Sequence, residues 1–374
     1  MTEYNFLNIH VLISHSPACL NRDDANMQKS AVFGGVRRVR ISSQCLKRAM
    51  RKSTYYAEHL GKPSDRTRSL PQIIEKYSQA LSAEFPHELV ERTIQWMARE
   101  EDDEPDKKLA VAPWSVAEVG KVCAIAQEAG TDQKTLKKLF KEGAKGSKAA
   151  VIRQVRQALT SAVDIAFSGR MVTSGLTLPV DGAVSVAHPI TTHAVDADID
   201  WFTAVDDLVL DEGDAGAGHL NTQEFGAGVF YRYASVNLRQ LQTNMGDVTR
   251  DQALIMAAHL VHMMATVVPE AKQHSFAAYN PADLVLVSFG HQPISAANAF
   301  EKPVTRDRQG GFLAPSIAAF EEYVNRVYAG YGLTDKQAVF SLWETKLASR
   351  CKTLKELKQW VAPSGQFDGG GDGG

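Results

Sequence analysis

The sequence predicts an α+β protein, a sheet-and-helix core of the split β-α-β kind with a helical sub-domain inserted between its strands. Three observations carry this expectation. Apolar residues alternate with period two near the N-terminus, residues 62–165 switch to helical periodicity, and period two then returns. At 374 residues the chain exceeds what one hydrophobic core usually serves, so sub-domains are expected. Hydrophobic residues make up 44% and charged residues 22%, ordinary for a soluble globular protein.

The first element is "FLNIHVLIS", where Leu7, Ile9, Val11 and Ile13 alternate with Asn8, His10 and Ser14, the pattern of a half-buried strand. A polar loop, "HSPACLNRDDANMQKS", leads into a strand "VRRVRI". Ser42 or Ser43 then caps a helix that no Pro or Gly interrupts before Gly61. At about 100° per residue, Leu46, Ala49, Met50 and Ser53 share one side, while Gln44, Lys47, Arg48, Arg51, Lys52 and Tyr55 share the other.

Within 62–165, "LPQIIEKYSQALSAEF", "HELVERTIQWMARE", "SVAEVGKVCAIAQEA" and "KTLKKLFKEG" read as helices with charged or Gly-rich joints. Lysines 134, 137, 138, 141, 145 and 148 make either a solvated face or a surface for a polyanion. Strand texture resumes in "GAVSVAHPITTHAV", "GVFYRYASVNL" and "ADLVLVSFG". The acidic, Gly-rich "DDLVLDEGDAGAGHLNTQEFGAG" between them reads as a long hairpin arm with a flexible tip. "TRDQALIMAAHLVHMMATVV" is a capped core helix, and "APSIAAFEEYVNRVYAGYG" an amphipathic one closed by Gly330. "GQFDGGGDGG" reads as a disordered tail. The expected divisions are 1–61, 62–165, 166–200, 201–233, 234–363 and 364–374.

The formal net charge is −2, yet Ala25 to Ala57 hold eight Lys or Arg and no acid, which leaves −10 on the rest of the chain. That asymmetry points to a localised anion site. A helix N-terminus adds free N–H groups and the positive end of the dipole, so "RISSQCLKRAMRK" is suited to phosphates of a nucleic acid. Tyr55 and Tyr56 either stack on a base or close the core.

Other chemistry is poorly represented. Walker A, GxSxG, HExxH and strand-associated GxGxxG patterns do not occur, and "GGVRR" is too short for a phosphate loop. Cys19, Cys45, Cys123 and Cys351 are scattered without CxxC spacing, so reduced thiols in a cytoplasmic protein are expected, with no zinc knuckle or disulfide framework. His10, His15, His188 and His193 match no zinc signature and read as structural. Asp23 and Asp24 could assist in-line attack or hold a divalent ion, but capping a turn is the commoner role. No metal, cofactor or catalytic residue is expected. "MTEYNFLNIH" lacks a basic region followed by an apolar run, so no signal peptide is expected, and no stretch is long enough to span a membrane.

The block "NIHVLISHSPACLNRDDANMQKSAVFGGVRRVRISSQCLKRAMRKS" resembles the N-terminal block of the CasC family, the backbone subunits of type I-E CRISPR Cascade complexes. "DIAFSGRMVTSG", "DGAVSVAHPITTHAVDADIDWFTAVDDL", "HLNTQEFGAGVFYRYA" and "YNPADLVLVSF" are similar to later blocks of that family, in the same order. The resemblance implies a hand-like subunit with a modified RNA-recognition-motif (ferredoxin-like) palm, helical fingers and a β-hairpin thumb. It implies that copies polymerise along one CRISPR guide RNA, beside other Cascade subunits, and present the guide to a complementary target DNA strand without cutting. By position, Asn21, Arg22, Lys29, Ser42, Ser43, Gln44, Lys47, Arg48 and Arg51 would hold the guide backbone, and Arg170 would belong to the RNA site. Met171 would sit against bases at a kink, with Phe202, Thr203 and Leu220 of the thumb. Two alternatives stand beside this. One is an RNA-guided ribonuclease using Asp23 or Asp24, because related type III backbone subunits cut with an Asp in the corresponding loop. The other is a generic single-strand RNA binder.

Overall fold

A computed structural model describes residues 3–99, 109–129, 134–136, 138, 149–171, 176–177, 179–196, 198–203 and 220–367. The expected arm tip, lysines 137, 141, 145 and 148, and the chain beyond Phe367 lie outside the described residues.

In chain order, β1 (Phe6–Ala18), β2 (Ser30–Phe33) and β3 (Val36–Val39) precede α1 (Ser43–Lys52) and α2 (Thr54–Leu60). A mostly helical stretch follows: β4 (Asp65–Thr67), α3 (Leu70–Ala80), α4 (His87–Ala98), β5 (Ala112–Trp114), α5 (Val116–Ala129), α6 (Ala149–Ala158) and α7 (Val163–Ser168). Then come β6 (Val184–Val186), β7 (Ile190–Thr191), β8 (Asp198–Thr203), β9 (Leu220–Asn237), α8 (Leu238–Asn244), α9 (Arg250–Thr266) and α10 (Gln273–Phe276). The chain closes with β10 (Leu284–Gly290), α11 (Leu313–Gly330), β11 (Lys336–Ser341), β12 (Ser349–Cys351) and α12 (Leu354–Val361).

The fold is a mixed α/β arrangement about a central sheet in the order β12-β11-β10-β1-β9-β6, with β7 and β8 also paired to β9. β11 and β12 run parallel; the other pairings are antiparallel. β9 is long enough to do two jobs. Its later part lies beside β1, while its first part leaves the sheet and pairs with β8, from Asp198↔Phe225 to Thr203↔Leu220. At the junction is Gly228, where an added Cβ would press into the His193 ring. The backbone can pass there only without a side chain.

β1 departs from the half-buried expectation. Leu7, Ile9, Val11 and Ile13 enter a core with α1, α9 and α12, but Asn8 and His10 are buried too, beneath α11 on the opposite face. A second layer of helix makes both faces interior, and the polar residues are tolerated because they are bonded. The Tyr233 hydroxyl donates to Asn8 Oδ1 at 2.8 Å, and His10 Nδ1 meets the Tyr231 hydroxyl at 2.8 Å. Burial pushes the His10 imidazole down to about 3.

Two further expectations are corrected. The helix after Ser42 does not run unbroken to Gly61. At Ser53 the backbone turns extended and the hydroxyl accepts from the Tyr56 N–H, so one residue ends α1 and caps α2. The C-terminal segment is not wholly without burial, because Phe367 is buried, edge-on to His259 and under the Lys358 ammonium. The helices between β4 and α6 gather a core of their own, including Ile73, Tyr77, Val90, Ile94, Trp114 and Val122. All four cysteines are free thiols. Among the described residues no helix is long and apolar enough to cross a membrane.

Candidate nucleic-acid interface

The basic helix is held from below and from its N-terminus. Leu46 and Met50 are buried, each removing about 1.5–3 kcal/mol worth of apolar surface from water. Asn21 Oδ1 accepts the Ser42 N–H at 2.8 Å, and Ser42 Oγ accepts the Cys45 N–H at 3.2 Å. No acid lies in the first turn, and Arg51 and Lys52 lie in the last, where cations complement the dipole. Asn21 and Ser42, expected to hold an RNA backbone, thus spend their oxygens on building the helix end, and Asn21 is buried. Ser43 and the exposed Gln44 remain at the rim.

α1 forms one wall of a cleft of about 770 Å³ whose other walls are the Pro63–Arg66 segment, α7 and β6. Lys47, Arg48, Arg51, Lys52 and Arg66 line it, against two acids, Asp65 and Asp164. Asp65 is engaged by Lys76 at 2.6 Å, so Asp164 is the acid left facing the cations. Arg51 donates to the Ser64 carbonyl at 3.1 Å, which fixes its stem. Burial and then the Arg66 charge lower the pKa of both Lys47 and Arg51. Cations crowded in this way repel one another, and an anion entering the cleft relieves the repulsion.

A second basic group lies at the base of the arm. Lys29, Arg37 and Arg40 line a cavity of about 450 Å³ with Asp23, Ile199 and Glu224. Arg37 pairs with the buried Glu224, while Arg40 bonds His188 at 2.8 Å. Arg38 is structural: its guanidinium is fully buried and donates to the carbonyls of Thr191 and Phe300. Arg22 donates to Asn26 Oδ1 at 3.1 Å. Asp23 Oδ1 accepts the N–H groups of Ala25 and Met27, both at 2.9 Å, which makes it a turn cap; Asp24 is exposed.

Arg170, which the resemblance places in the RNA site, has its side chain turned into the protein. Its side chain is 1% exposed and grips Glu118, equally buried, through two bonds of 2.6 Å. Its backbone pairs with Val180. Met171, one residue on, is fully exposed, a costly position for an apolar side chain that has nothing to meet. Phe202, Thr203 and Leu220 lie at the outer end of the β8–β9 ladder, well along the arm from the sheet.

Tyr55 and Tyr56 point inward. Tyr56 is buried with its hydroxyl accepting the Asp164 N–H, and Tyr55 stacks on His262 at 3.8 Å and bonds His259. His15 contacts Arg232, and His193 stacks on Phe312. Among the described residues no three His, Cys, Asp or Glu side chains are gathered so as to hold a metal ion. The residues that sequence reasoning missed are Ser64, Arg66 and Asp164. A lone acid in the apolar run "SAVDIAF" is a usable sign of a buried, partnered carboxylate.

A family model described as CT1975-like protein matches residues 7–362. A solved chain described as "CRISPR RNA-guided surveillance complex, pre-nicking" is 28% identical, with a TM-score of 0.75 over 96% of this chain and 100% of that one. Another, described as "CRISPR RNA-guided surveillance complex", shares the fold at 23% identity and a TM-score of 0.57, covering 96% and 99%. No curated protein matches the chain. With the family model spanning nearly its whole length, the chain belongs to the CT1975-like protein family.

Proposed function

We propose that the chain is a subunit of a Cascade-like CRISPR surveillance complex and binds the guide RNA backbone along α1. The carrying observation is the cleft in which Lys47, Arg48, Arg51, Lys52 and Arg66 crowd around Asp164 and a lysine-paired Asp65. Charge without base-reading groups suits a strand whose sequence is read by pairing. The strand order β10-β1-β9-β6, with helices after β1 and β9, supports reading the palm as a ferredoxin-like, modified RNA-recognition motif. The similarity to surveillance-complex chains supports the assembly. The sequence resemblance adds the finer reading: a type I-E backbone subunit that polymerises along the guide and displays it to target DNA. On this reading the fully exposed Met171 meets bases, and the arm reaches toward a neighbouring copy.

The subunit is proposed to be non-catalytic. Asp23 is occupied by two backbone N–H groups, which disfavours Asp23 as the cutting residue of the ribonuclease alternative. Four phosphates held per subunit give a slope of log K on log salt of about −3. The test is co-expression with a CRISPR array and partner subunits, followed by nuclease treatment and sizing of the protected RNA. A discrete guide, lost in Lys47→Glu/Arg48→Glu, is expected. Heterogeneous RNA unaffected by those changes refutes the reading, and magnesium-dependent cleavage of target RNA refutes the non-catalytic part.

A further inference from the structure

Asp164 stands out among the groups that the RNA reading leaves unexplained. Among the described residues it is the one acid facing the cleft cations without a lysine of its own, and its side chain is 5% exposed. Both carboxylate oxygens are hydrogen-bonded by one neutral residue: Ser64 N–H donates to Oδ1 at 3.0 Å and Ser64 Oγ–H to Oδ2 at 2.6 Å. The two nearest cations stand farther off, with Arg51 Nε at 3.9 Å and Arg66 Nη2 at 3.8 Å from Oδ2. Those separations lie within ion-pair range and beyond hydrogen-bonding range. The carboxylate therefore offsets the charge of both guanidinium groups without consuming their N–H donors.

A phosphate carries the same sign of charge and the same kind of acceptor oxygen, and it would face the same two arginines. We propose that Asp164 is the resident counter-ion of the cleft, standing in electrostatically for a strand phosphate while the cleft is empty and weakening the hold on any polyphosphate that enters. This rests on the reading of the cleft as an RNA-backbone site and adds that its affinity is deliberately moderated from within. Asp164 is a positioning residue on this account, since it need not touch the strand.

Asp164→Asn keeps an acceptor for the Ser64 N–H, puts an amide NH2 that can donate to Ser64 Oγ where Oδ2 accepted from it, and removes the charge. At a distance of about 6 Å and an effective dielectric of about 50, deleting the repulsion between a carboxylate and an incoming phosphate tightens binding about sixfold. Thermal melts at low salt, with and without tripolyphosphate, read the effect together with anisotropy of a labelled oligouridylate. The proposal expects Asp164→Asn to melt lower than wild type when alone, to gain more from tripolyphosphate, and to bind the oligonucleotide about sixfold tighter. A lower melt with no extra gain means that Asp164 is merely structural, and an unchanged melt means that it offsets nothing; either overturns the proposal.

If Asp164→Asn does not fold, Arg66→Gln decides, because Arg66 is 39% exposed. The proposal expects it to melt no lower than wild type at low salt and to gain less from tripolyphosphate; an undiminished gain overturns it. In Asp164→Asn, a larger tripolyphosphate gain with wild-type oligonucleotide binding keeps the counter-ion and sinks the RNA reading instead.

Discussion

Glu118→Ala should unfasten the helical stretch from the segment that carries Met171. Both Arg170 and Glu118 side chains are 1% exposed, and the pair is bidentate at 2.6 Å on each arm. Removing one partner strands a buried charge, which costs about 3–5 kcal/mol. Replacing both, as Glu118→Leu with Arg170→Met, removes the desolvation penalty along with the attraction and should stay within about 1–2 kcal/mol of wild type. With each single replacement costing about 3–5 kcal/mol and the double at most about 2, the double-mutant cycle predicts a coupling of at least about 4 kcal/mol. Urea unfolding gives the global cost. Amide exchange gives the local one, with deprotection concentrated in β5, α5 and the Arg170–Val180 bridge, since those are what the pair joins. The reasoning is refuted if Glu118→Ala costs under about 1 kcal/mol, or if the double replacement costs as much as the single one.

Three other outcomes follow from the packing. Burial holds His10, His15 and His262 down to about 3 and His259 to about 4. The unfolded chain, titrating near 6.5, then takes up protons first on acidification. Stability should be full above pH 6.5 and fall steadily toward pH 4, by about 1.4 kcal/mol per histidine at pH 5.5; melting temperatures flat from pH 7 to 5 would contradict this. Phe367→Ala should cost about 3 kcal/mol in urea unfolding, because the ring is 4% exposed against His259 and Lys358; a neutral result would return this residue to the tail. Gly34→Ala should destabilise by at least 1 kcal/mol, since its φ is +59° and an added Cβ would collide with the Glu301 carbonyl. Wild-type stability in that variant would show that the β2–β3 turn is not held against Glu301.

The sequence by itself determined the elements whose signal is local. The period-two run at Leu7–Ile13, the capped helix at Thr249, the two-faced helix after Ser42 and the concentration of cations between Ala25 and Ala57 are all properties of neighbours in the chain. Periodicity reports which face is apolar, so Leu46 and Met50 were identifiable as the buried side. Which cations remain available was decided only by tertiary structure. Arg38, Arg40 and Lys47 look alike in the sequence, yet the first is buried under carbonyls from residues more than 150 positions away, while the last lines the cleft. The cleft itself joins Ser64 to Asp164 across 100 residues, and Arg170 looks like a binding residue until Glu118 is brought against it. Periodicity and local charge cannot encode such pairings, because burial of a charge depends on which distant segment supplies its partner.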